Sequence, residues 1–111
     1  MKDNLIQKLS FDFALQSLDL YKKLLSKNEY VLSKQFLRSA TSIGANVEEA
    51  QAGISKKDFI AKMSIASKEA RETKYWILLI AKGDFISYNY VNLKVRIDSI
   101  INLLTSIVKT S

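Results

Sequence analysis

Apolar residues recur along this chain at steps of three, four and seven, the spacing that keeps side chains on one face of an α-helix. The first stripe, Ile6, Leu9, Phe13, Leu20 and Leu24, predicts a helix over roughly Asp3 to Leu25. Ser26-Lys27-Asn28 is a polar break. A second stripe of Leu32, Phe36, Ala40, Ile43, Val47 and Ala50 predicts a helix from about Glu29 to Ala52, with Gly53 where a helix C-terminal glycine belongs. Ser55, with Asp58 three residues on, reads as the N-cap of a third helix running to about Lys82. Its stripe is Phe59, Met63, Ala66, Ala70, Ile77 and Ile80, and Gly83 closes it. Ser87 or Asn89 starts a fourth, whose broad apolar face holds Tyr90, Leu93, Ile97, Ile100, Ile101, Leu104, Ile107 and Val108. Proline is absent and glycine occurs only at 44, 53 and 83, which suits long helices joined by short turns. Four helices so connected predict an all-α, antiparallel up-down-up-down bundle forming one domain over residues 1–111.

Some helices carry more apolar surface than one core needs. At 100° per residue, Phe11, Leu15, Leu18 and Leu25 lie nearly opposite the first stripe, which predicts burial against a second subunit. The competing reading is a wide core stripe with scattered exposed apolar residues. On the third helix Ile65, Trp76 and Leu79 form a line off the core stripe, with Glu69 and Glu72 among them. This is an interface seam, or Trp76 packs on a neighbouring helix of the same bundle. On the second helix Arg38, Ser42 and Asn46 form a polar ladder at i,i+4 steps, with Glu49 beside it. The small residues around it, and Gly44 within the helix, suggest close approach of another helix. Glu69 or Glu72 is within reach of Arg38. The ladder is therefore expected to be a structural network, against the plainer alternative of a solvated face.

Composition narrows the chemistry. The chain has neither cysteine nor histidine, which removes thiolate metal sites, the commonest transition-metal ligand and the commonest general base. Glu48-Glu49 and Glu69/Glu72 lack the Glu-x-x-His pairing of di-iron bundles, and no phosphate-binding glycine loop occurs. No catalytic residue, metal or cofactor is expected. The net charge of +6 favours an acidic partner, or serves solubility alone. Lys56, Lys57, Lys68, Arg71, Lys74 and Lys82 share roughly a third of the third helix's circumference with Tyr75. Within that stripe Lys57, Lys68, Arg71 and Lys74 are the candidate phosphate contacts, with Tyr75 as a stacking platform; solvated lysines on an outer face look much the same. No apolar run reaches membrane-spanning length, and Met1-Lys2-Asp3 leads directly into helical periodicity without a secretory pattern. A cytoplasmic protein without membrane contact is expected.

Three ordered segments carry a family resemblance. They are Arg38-Ser39-Ala40-Thr41-Ser42-Ile43-Gly44-Ala45-Asn46-Val47-Glu48-Glu49-Ala50, then Ser55-Lys56-Lys57-Asp58-Phe59, then Ile65-Ala66-Ser67-Lys68-Glu69-Ala70-Arg71-Glu72-Thr73-Lys74-Tyr75-Trp76. Together they resemble the bacterial four-helix-bundle family of proteins encoded in 23S rRNA intervening sequences. That family is related to the accessory variability determinant of diversity-generating retroelements. Ala50 stands where many relatives have glycine, and Glu48 where alanine is common. The resemblance implies a homo-oligomer, a pentameric barrel, and a nucleic-acid-binding role. The leading expectation is a non-enzymatic oligomer binding structured RNA or other nucleic acid. The alternative is a scaffold that binds only protein.

Overall fold

The buried positions keep a stricter rhythm than amphipathicity alone requires. In the computed structural model residues 2–111 are described, with side chains from Asn4 onward; Met1 lies outside the described residues. Helix α1 (Lys2–Ser26) buries Ile6, Ser10, Phe13, Ser17, Leu20 and Leu24, alternating steps of four and three. Helix α2 (Leu32–Gln51) buries Ser33, Phe36, Ala40, Ile43, Val47 and Ala50, with Ser39 beside them. Helix α3 (Lys56–Gly83) buries Met63, Ala66, Ala70, Thr73, Ile77 and Ile80. Helix α4 (Val91–Thr110) buries Leu93, Ile97, Ile100, Leu104 and Ile107, with Ile101 beside them. A mean repeat of 3.5 keeps each seam facing its neighbours along the whole helix when helices cross at shallow left-handed angles.

Backbones approach closely from α1 to α2, α2 to α3, α3 to α4 and α4 back to α1, and those of the two diagonal pairs do not. The four helices therefore form a ring in chain order, antiparallel at each step, about 45 Å long. No strand occurs among the described residues. Every residue of the four predicted stripes lies in this core; Leu9, Leu32, Phe59, Tyr90 and Val108 sit at its half-buried margin. Truncating a fully buried ring such as Phe13 or Phe36 to alanine would cost about 3–5 kcal/mol.

The helix ends depart from the sequence expectation in instructive ways. Helix α2 begins at Leu32, not Glu29, because Glu29 serves as a cap. Its carboxylate accepts from the amides of Val31 (3.2 Å), Leu32 (3.1 Å) and Ser33 (2.6 Å). Asn28 is left-handed, with φ 64°, and the amides of Asn28 and Glu29 donate to Leu25 and Leu24 carbonyls. Ser55 caps α3 as its sequence suggests, accepting from the Asp58 amide at 3.1 Å. The left-handed residue that ends α3 is Asp84, not Gly83. Gly83 instead makes room for Phe85: a Cβ there would lie 2.6 Å from the ring. Helix α4 starts at Val91, whose amide donates to the Asn89 side chain at 3.1 Å.

Candidate functional site

The outer face of α3 is where charge accumulates. This helix carries seven basic and three acidic residues, whereas α1 carries four and three. Lys57, Lys68 and Arg71 are exposed, and Lys57 and Lys68 form no ion pair among the described residues. At 1.5 Å per residue the line from Lys57 to Lys74 spans about 25 Å. Two of the four cations are partly engaged by α4. Arg71 donates to Thr105 Oγ1 at a long 3.5 Å, and Lys74 Nζ meets Asp98 Oδ1 at 2.7 Å. Tyr75 is 59% exposed, its ring packed edge-on to Trp76 with centroids 5.2 Å apart. Arg71, Lys74, Tyr75, Leu78, Asp98, Ile101 and Asn102 together line an open groove between α3 and α4.

At the α2–α3 corner the structure brings Arg38, Glu69, Glu72 and Trp76 together. Arg38 Nη1 donates to Glu69 Oε2 at 3.2 Å and Nη2 donates to Glu72 Oε2, which also accepts from Trp76 Nε1 at 3.0 Å. The indole bond, and then the guanidinium, hold the Glu72 carboxyl below the usual range; in return Glu72 raises Arg38. Arg38 is 49% exposed, so this is a surface clamp between two helices and not a buried charge network. The rest of the ladder is not continuous with it. Asn46 Nδ2 donates to Ser42 O (2.9 Å) and Oγ (3.1 Å), and Glu49 pairs with Lys62 of α3 at 2.8 Å. Trp76 packs against the core of its own bundle, while Ile65 and Leu79 stay exposed on either side.

A third surface lies on α1. Phe11 is 64% exposed and Leu15 54%, with Leu18 exposed and Leu25 half-buried in line with them. Beside them runs a groove lined by Ala14 and by Thr41, Gly44 and Ala45 of α2. The close approach that Gly44 suggested is made by α1 of the same chain: a Cβ at Gly44 would sit 3.5 Å from the Ser10 carbonyl oxygen, an ordinary contact.

With these surfaces in place, comparison with known proteins is informative. The sequence profile of the 23S rRNA-intervening sequence proteins matches residues 2–106. The chain belongs to that family. A crystal structure of a protein of unknown function from the S23 ribosomal protein family of Bacteroides thetaiotaomicron VPI-5482 superposes with a TM-score of 0.93 at 45% identity. The match covers 98% of this chain and 99% of that one. Comparison with curated proteins found no match.

Within this 23S rRNA-intervening sequence family member, no helix among the described residues is long and apolar enough to cross a membrane. No group of three or more acidic, histidine or cysteine side chains could hold a metal ion among those residues either. Sequence reasoning missed the α4 side of the basic groove. Asp98, Asn102 and Thr105 follow one another at i, i+4 and i+7, a polar line on one face of α4 that was there to be read. It also missed Lys62, the partner of Glu49.

Proposed function

We propose that this chain is a non-enzymatic, cytoplasmic homo-oligomer, five copies by family likeness, that binds RNA or other nucleic acid through the outer face of α3. The observation that carries the nucleic-acid reading is the set of exposed Lys57, Lys68 and Arg71 along one side of α3, none of them in a salt bridge among the described residues, while Lys74 pairs with Asp98 and Lys68 acts on Glu72 through space alone. Each lysine or arginine that meets a phosphate releases counterions, which favours a polyanion over a single charged group. The family's tie to 23S rRNA intervening sequences makes RNA the first ligand to test. Self-association is supported by the exposed Phe11, Leu15 and Leu18, an apolar line of the kind that subunit interfaces cover. The same line supports a second reading, a scaffold that binds only protein, in which the α3 charge serves solubility.

A salt titration with a labelled oligonucleotide separates the two. For the nucleic-acid reading, log affinity falls against log salt with a slope of about −0.7 to −0.9 per phosphate contact. Lys68→Glu with Arg71→Glu weakens binding and flattens that slope while helicity stays unchanged. Absence of binding at low salt, or an identical titration of the double variant, leaves the scaffold reading.

A further inference from the structure

We propose that the groove between α3 and α4 takes an unpaired nucleobase, so that the protein prefers single-stranded nucleic acid to duplex. This rests on the reading of α3 as the nucleic-acid face and specifies the form of ligand it takes. The groove is not built for phosphate. Its wall carries Asp98, whose carboxylate pairs with Lys74 at 2.7 Å and would repel a backbone laid over it. A base meets that wall differently. The ammonium of Lys74 and the carboxylate of Asp98 stand side by side as donor and acceptor, and Asn102 offers both. Base edges present the complementary alternation of carbonyl and N–H groups, which a duplex hides in its own pairing.

The floor and platform fit the same ligand. Leu78 and Ile101 supply apolar surface, and Tyr75 presents an exposed ring. That ring is braced: Trp76 packs against it edge-on, and Trp76 is itself fixed by the bond from its Nε1 to Glu72. A base stacked on a ring already held in place loses little conformational freedom on binding. The open groove offers about 660 Å³, ample for one base and its sugar. Arg71 lines the groove, and the exposed Lys68 lies one helical turn from it, where the backbone of the same strand would pass. Phosphate is therefore handled beside the groove and the base within it.

The test compares a labelled single-stranded RNA dodecamer with the same sequence as a duplex, at low salt, for four forms: wild type, Tyr75→Ala, Tyr75→Phe, and Lys68→Glu with Arg71→Glu. Wild type should bind the single strand more tightly. Tyr75→Ala should weaken single-strand binding about 5- to 150-fold, the range for loss of one stacked base, and leave duplex binding unchanged. Tyr75→Phe should retain it. Trp76 is the only tryptophan, so its emission should respond to the single strand and not to the duplex. Equal or tighter duplex binding, or a Tyr75→Ala variant that titrates as wild type, overturns the base-binding groove. In that case the loss caused by the double charge reversal would still uphold the nucleic-acid face. If wild type binds neither probe, both readings fall.

Discussion

The outer faces of α1 and α3 lie at opposite corners of one ring, each behind a seam with the same heptad rhythm, yet they differ in character. On α1 two pairs of charged residues neutralise one another in place, Lys8 with Asp12 at 3.1 Å and Lys23 with Asp19 at 3.4 Å, beside the exposed Phe11, Leu15 and Leu18. On α3 the cations outnumber the acids, with the exposed Ile65, Tyr75, Leu78 and Leu79 set among them. Water is the poorer neighbour for the first face, and diffuse counterions are the replaceable neighbour for the second. On the proposed function the first face meets protein and the second a polyanion, and the ring keeps the two apart.

The strongest way to break this comparison is to charge the apolar corner. Phe11→Glu with Leu15→Glu should reduce the mass measured by light scattering from an oligomer to a single chain, with helicity retained because neither side chain reaches the core. An unchanged mass would remove α1 from any interface. Next in size is Arg38→Ala at the corner between the faces. Because the guanidinium is half exposed, its loss should cost about 1 kcal/mol, several degrees of melting temperature, well short of the cost of breaking a buried pair. A larger fall accompanied by loss of mass would show that a neighbouring copy covers this corner.

The smallest expected effect is one of pH. The folded Glu72 carboxyl titrates below its unfolded value. Its contribution to stability is therefore complete above the unfolded value of about 4.3 and drains away as pH falls through the lower folded value. Melting curves of wild type and Glu72→Gln should differ at neutral pH and converge in acid. A gap that persists unchanged at the lowest pH would mean that packing of Trp76, and not the carboxylate charge, sets the difference.

The apolar stripes were legible because each large aliphatic or aromatic residue at a heptad position points to the same core. The small polar members of that rhythm were not. Ser10, Ser17, Ser33 and Thr73 occupy buried steps, but a hydroxyl looks like surface until its bond to a carbonyl three or four residues back is seen: Ser17 to Phe13 and Thr73 to Glu69, both at 2.8 Å. With its own proton on Glu69, Thr73 Oγ1 accepts from Ser39 Oγ at 2.8 Å, a link between α2 and α3 that no periodicity announces. The Glu29 cap escaped notice because glutamate is a good helix former and only its reach to three successive amides reveals its place outside the helix. The pairing of Arg38 with Glu69 and Glu72 could be anticipated, since consecutive helices bring those faces together. The engagement of Lys74 by Asp98 depends on the axial register of α3 against α4, which the spacing within either helix does not contain.

The order of the ring also bears on how quickly it assembles. Three of its four seams join helices consecutive in the chain, so each forms by closing a short connection. Among small domains, the more local the contacts the faster the folding, and three of these four seams are of the local kind. The exception is the seam between α1 and α4, whose closure must gather nearly the whole chain. Until it closes, Leu9 and Ile100, which line one groove along that seam, lack their cover. The rate of that one event limits how long a newly made chain presents its core to its neighbours.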